Sequence, residues 1–126
     1  KTLLKQAELP LIRFHDLRNC NYLNYVNCNF CDMDFLYLPE LPNNLAVNCM
    51  ETGLTELNYE NCGGIYDLSI SGNPGLTGKL NLASNPYLMN VSADNCGFTE
   101  IDAYFTLIIK IIIFHNIGIA HYIVYR

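Results

Sequence analysis

The chain has 126 residues, 12 of them acidic and 7 basic, for a formal net charge of −5, and its length fits one domain. That acidic balance, with no basic cluster, excludes the electrostatic footprint of a nucleic-acid binder. It contains six cysteines and no tryptophan.

In chain order, residues 1–11 alternate too briefly to choose between a cap and a partial coil. Beyond them, two rows of apolar slots alternate along the chain. The first row reads Leu23, Val26, Cys28, Cys31, Met33, then Leu45, Val47, Cys49, Thr52, Leu54, then Ile65, Leu68, Ile70, Asn73, Leu76. It continues with Leu88, Val91, Ala93, Cys96, Phe98 and with Ile108, Ile111, Ile113, Asn116, Ile119. The central slot, Val26, Val47, Leu68, Val91, Ile111, advances by 21, 21, 23 and 20 residues. Between these lies a second row: His15/Leu17, Leu36/Leu38, Leu57/Tyr59, Leu80/Leu82, Ile101/Ala103 and Tyr122/Val124. An L-x-L piece sends two side chains to one face of a strand and the residue between them to the other. No single coil can bury such a face alone, so the coils must stack.

The frame L-x-x-L-x-L-x-x-N/C-x-L resembles the leucine-rich repeat, and the resemblance spans roughly residues 12 to 125. The string Leu38-Pro39-Glu40-Leu41-Pro42 is similar to the linker of short bacterial repeats. Ser71 to Leu76, Ser84 to Leu88 and Asn95 to Ile101 resemble secreted and surface repeat proteins of bacteria. The resemblance implies a strand-rich solenoid of about five coils in a single domain, 1–126. Parallel strands would line a concave face, with extended or 3₁₀ segments on the convex side and little or no α-helix. It also implies a bacterial, extracellular or cell-surface setting. Because repeats run to the last residue without a cap, and the chain opens on Lys1 with no initiator Met or signal peptide, a piece of a longer protein is expected.

Residues 103–125 are strongly apolar. A membrane helix needs about 20 apolar residues with few charges, but Lys110, His115, Asn116 and His121 interrupt the run and its β-branched residues favour strand. The stretch 105–126 therefore reads as a last coil, and a membrane segment is disfavoured. Lys110, Ile112 and Phe114 become its outer positions, and its apolar edge invites self-association.

The chemistry-bearing residues give no catalytic frame. All six cysteines occupy slots: Cys28, Cys49, Cys31 and Cys96 in the first row, Cys20 and Cys62 in the second. Free cysteine acts there as a small buried hydrophobe, and thiols are expected. Cys28-x-x-Cys31 finds no partner pair to complete a zinc site. Asp32-x-Asp34 lacks the remaining ligands of a calcium loop, and Asn73-Pro74-Gly75 is a turn rather than a phosphate loop. The glycosylation triplet Asn90-Val91-Ser92 has its middle residue in a core slot. No metal, cofactor or catalytic residue is predicted, and the chain reads as a non-enzyme.

Function is thereby confined to residues between slots. The resemblance places binding on the concave face, whose outer positions are Tyr25, Asn27 and Asn29, then Asn48 and Met50 beside Ala46, then Asp67, Ser69 and Ser71, then Asn90, Ser92 and Asp94. Asn48, Ser69 and Ser92 are expected to form a ladder at its centre. The leading reading is a non-catalytic module for a protein or peptide partner. Its rivals are the substrate-recognition repeats of a secreted bacterial ubiquitin-ligase effector, and a self-associating surface adhesin.

Overall fold

The computed structural model describes residues 6–8, 14–40, 44–102, 111–113 and 121–123. In chain order its strands are β1 (Gln6–Glu8), β2 (Phe14–Asp16), β3 (Tyr25–Asn27), β4 (Phe35–Tyr37), β5 (Leu45–Asn48) and β6 (Glu56–Leu57). After a 3₁₀ turn at Tyr59–Asn61 come β7 (Ile65–Ser69), β8 (Thr77–Asn81), β9 (Asn90–Ser92), β10 (Gly97–Asp102), β11 (Ile111–Ile113) and β12 (His121–Ile123). The described residues thus form a strand-rich solenoid of about four turns with essentially no helix. All pairing is parallel, because each coil lays the same segment beside its predecessor. The first row makes one six-stranded sheet, β1-β3-β5-β7-β9-β11. The second makes two three-stranded sheets, β2-β4-β6 and β8-β10-β12.

The slots align as the spacing predicts. Val26, Val47, Leu68 and Val91 are successive Cα partners. In the second row His15 pairs with Leu36 and Leu36 with Leu57, then Leu80 with Ile101 and Ile101 with Tyr122. Every first-row slot from Leu23 to Phe98 is buried, and so are Leu17, Leu36, Leu38, Leu57, Tyr59, Leu80, Leu82 and Ile101. At β11 the register departs from expectation. Val91 pairs with Ile112, while Ile111 and Ile113 pair with Asn90 and Ser92. The central slot is Ile112 rather than Ile111, the last step is 21 rather than 20, and the outer assignment of Ile112 is corrected accordingly. Three consecutive isoleucines offer no alternation, so the pattern could not fix a one-residue slip. Lys110, Phe114, Ile108, Asn116, Ile119, Ala103 and Val124 lie outside the described residues.

The split of the second row has a sequence cause. A half-coil from first to second row takes 10 residues at Val26–Leu36, Val47–Leu57 and Val91–Ile101, but 12 at Leu68–Leu80. The longer arc ends the ladder between β6 and β8. Tyr59 spans the gap from the slot that Leu38 and Leu82 fill in neighbouring coils. Its ring is buried, and its hydroxyl accepts from Asn81 N at 2.8 Å and donates to Lys79 O at 3.5 Å.

Turns stack as strictly as strands. Phe30, Glu51, Gly72 and Asn95 take the same place in successive coils, all at positive φ (64°, 52°, 76° and 56°). The first three donate their N–H to Met50, Ser71 and Asp94 carbonyls of the next coil at 2.7–2.9 Å. Left-handed backbone costs a non-glycine residue roughly 1–2 kcal/mol, and the inter-coil bond holds Phe30 there although its side chain is 66% exposed.

Asn73 is the most connected slot. Its Oδ1 accepts from Thr52 N and Oγ1, Gly53 N and Leu54 N at 2.9–3.3 Å, and its Nδ2 donates to Cys49 O and Ile70 O at 2.7 and 2.8 Å. The thiol of Cys96 in the next coil reproduces part of this by donating to Ile70 O at 3.1 Å. Because each buried group left unpaired costs roughly 1–3 kcal/mol, Asn73→Ala should lose roughly 3 kcal/mol or more in urea unfolding; a loss below about 1 kcal/mol would refute the assignment. Coil contact is equally tight at Gly97, where a Cβ would meet Pro74 O at 2.4 Å and Leu76 O at 3.0 Å, both backbone atoms. Gly97→Ala should cost roughly 1–3 kcal/mol by overpacking. Gly78→Ala, whose methyl meets nothing within 4 Å but whose φ is +79°, should cost less, and equal losses would mean that the clash is relieved by movement.

Candidate functional site

The first-row strands alternate buried and half-buried residues, so Tyr25, Asn27, Asn29, Asn48, Met50, Asp67, Ser69, Ser71, Asn90, Ser92 and Asp94 stand on the outer side of one sheet. Their polar groups mostly bond to one another. Asn48 Nδ2 donates to Tyr25 Oη at 3.4 Å, and Asn29 Oδ1 accepts from Met50 N at 2.8 Å. The hydroxyls of Ser71 and Ser92 bond at 2.8 Å, and Ser71 Oγ accepts from Asp94 N at 3.0 Å. Asn48, Ser69 and Ser92 stack as the expected ladder, being successive register partners, but their side chains bond elsewhere. Asn48 turns to Tyr25 and Ser92 to Ser71, leaving Ser69 beside both without a side-chain bond to either.

Where the strands enter their stacked turns, Met50, Ser71 and Asp94 gather round an open hollow of about 600 Å³, lined also by Glu51, Gly72 and Asn95. Glycine at 72 makes this shape, since a Cβ there would lie 2.4 Å from Glu51 Cγ. Three of the anticipated residues thus meet in one cavity, while Tyr25, Asn48, Asp67, Ser69 and Asn90 occupy the flatter sheet away from it. Burial raises the Asp67 carboxyl above the usual carboxylate range.

A second hollow, of about 540 Å³, lies on the second-row side and is lined by Arg18, Asn21, Tyr37, Glu40, Glu56 and Asn58, among others. Its residues escaped the sequence reading, which looked for function only between first-row slots. A signal was present: the second-row outer positions carry Asp16, Arg18, Phe35, Tyr37 and Glu56, whereas the first row carries mainly Asn and Ser. Asp16 accepts from Arg18 Nη2 at 2.7 Å, from its Nε at 2.9 Å and from its main-chain N at 3.1 Å. That pairing holds the Asp16 carboxyl down at about 2.

Among the described residues, no group of three or more His, Cys, Asp or Glu is placed to hold a metal ion, and no helix is long and apolar enough to cross a membrane. No family model, curated protein or solved structure matches the chain.

The six cysteines are buried, unbridged thiols. Desolvation raises Cys31, Cys49, Cys62 and Cys96, Cys62 to about 12. A nucleophilic cysteine needs the opposite shift. Ellman's reagent at pH 8 should react with the folded protein far more slowly than with the denatured chain, and a thiol reacting at once in the native state would refute their closure. Since the folded Cys62 value lies above the ordinary 9.0, its stabilising contribution is full below pH 9 and is lost as pH rises towards 12. Urea melts should show this alkaline decline flattened in Cys62→Ala.

Proposed function

We propose that this chain is a non-catalytic protein-interaction module, a short-repeat solenoid of the leucine-rich type that offers the outer face of its first-row sheet to a protein or peptide. The supporting observation is the state of that face. Several of its polar groups are already bonded to one another, its strands are locked in register by neighbouring coils, and Met50, Ser71 and Asp94 meet at a hollow on its rim. A partner would dock on a surface that needs little ordering, which lowers the entropic cost of association. Met50 supplies adaptable apolar contact, while Glu51 and Asp94 select donors. The raised thiols fit a slot-filling role rather than a catalytic one. The reading carries with it a bacterial, extracellular or cell-surface setting. A second copy docking on the end strands β11 and β12 is the alternative reading, because each ends its sheet among the described residues and an open edge accepts a further strand.

Panning a random peptide library against the folded protein tests the face. Selected peptides should bind Met50→Asp and Asp94→Lys variants at least ten-fold more weakly, about 1.4 kcal/mol, with thermal melting unchanged. Peptides binding both variants like the wild type would refute the face, and light scattering that instead finds a dimer surviving both substitutions would favour the edge.

A further inference from the structure

The hollow on the second-row side has a construction of its own. The Arg18 guanidinium is held by Asp16 and lies over the Tyr37 ring, 4.9 Å from its centroid. Phe35 and Tyr37 stack with centroids 4.6 Å apart and planes inclined by 25°. The Tyr37 hydroxyl donates to Glu56 Oε2 at 2.8 Å, which raises the phenol above its usual value. Asn58 is committed to the main chain of Leu38, accepting from its N at 2.6 Å and donating to its O at 2.8 Å. The walls are therefore fixed before anything enters, and they carry the arginine and tyrosine that dominate protein interfaces.

Charge says what enters. Arg18 is neutralised by Asp16, so the carboxylates of Glu40 and Glu56 dominate the cavity, and no other Lys or Arg among the described residues lines it. The surroundings reinforce them. Between residues 14 and 102 the chain has 11 acidic residues and only two basic ones, Arg18 and Lys79; the other five basic residues lie outside that span. A body so biased attracts cationic partners over a distance of about a Debye length, roughly 8–10 Å.

We propose that this cavity is a second binding site, which takes a lysine or arginine side chain of an extended basic peptide between Glu40 and Glu56, with Tyr37 and Asn21 flanking its stem. It is independent of the first-row face, lying on a different sheet. The test uses a fluorescein-labelled peptide of alternating arginine and glycine, read by fluorescence anisotropy at low salt. The wild type should bind it, and the double variant Glu40→Gln/Glu56→Gln should weaken binding at least five-fold. The charge-matched control Asp32→Asn/Glu100→Gln removes two carboxylates elsewhere and should change it less than two-fold. Circular dichroism melts, unchanged in both, exclude unfolding as the cause. Equal weakening in the two double variants would overturn the site in favour of diffuse attraction to an acidic body, and absence of binding by the wild type would overturn it outright. Neither outcome touches the first-row face, which is probed by Met50 and Asp94.

Discussion

The carboxamide of Asn73 sits in the core with its oxygen turned to the amides of one turn and its nitrogen to carbonyls of two coils. It states in one residue the constraint on the whole molecule, that a coil cannot satisfy its own buried backbone. The same dependence recurs in the turn column, where Phe30, Glu51 and Gly72 each bond to the coil that follows. The apolar slots bring coils together, since burying each large side chain yields roughly 1.5–3 kcal/mol. The polar ties decide how the coils lie, because a misaligned coil would strand several donors at once. Among the described residues one buried side-chain acceptor remains without a partner: Asn85 donates to Tyr59 O and Cys62 O, while its Oδ1 is unpaired. It occupies the second-row slot next to the split, where the stacking rule is weakest.

Two sides of the solenoid divide the chemistry unequally. The first-row face is made of small polar residues that bond to one another, so it is smooth and finished. The second-row face carries an ion pair, an aromatic stack and carboxylates that the ion pair does not neutralise. The first relies on shape at the rim hollow, the second on charge. On the two proposals, partners of different character would meet these faces without either altering the shared core, because the side chains that make the faces and those that make the core alternate along the same strands.

Most of the architecture was legible because the two-row pattern uses periodicity, and periodicity survives chemical substitution. Cys49 replaces an aliphatic residue, Thr52 replaces Asn or Cys, and Tyr59 replaces Leu, yet every one of them is buried where its slot predicts. Among the described residues the register failed only at Ile111–Ile113, where identical residues erase the alternation on which the reading depends. The site was less legible. The outer positions from Tyr25 to Asp94 were correctly placed, but hydrogen-bond choices such as Ser92 to Ser71 rather than Ser69 depend on rotamers that no spacing encodes. The second hollow was missed because Arg18, Tyr37 and Glu56 come from three different coils, each about twenty residues from the next, and only stacking brings them into one cavity.

The interruption between β6 and β8 gives the solenoid a mechanical asymmetry. On the first-row side a tensile load along the axis would be shared by an unbroken ladder. On the opposite side the same load meets a seam with no strand ladder, bridged by scattered side-chain bonds from Tyr59, Asn81, Ser84 and Asn85. Bonds loaded together resist collectively, whereas bonds loaded singly fail in sequence. Stretched from its ends, the rod would open along that seam first and bend about the continuous sheet like a hinge-backed strap, parting the coils that carry Glu56 and Lys79 while keeping the first-row face intact.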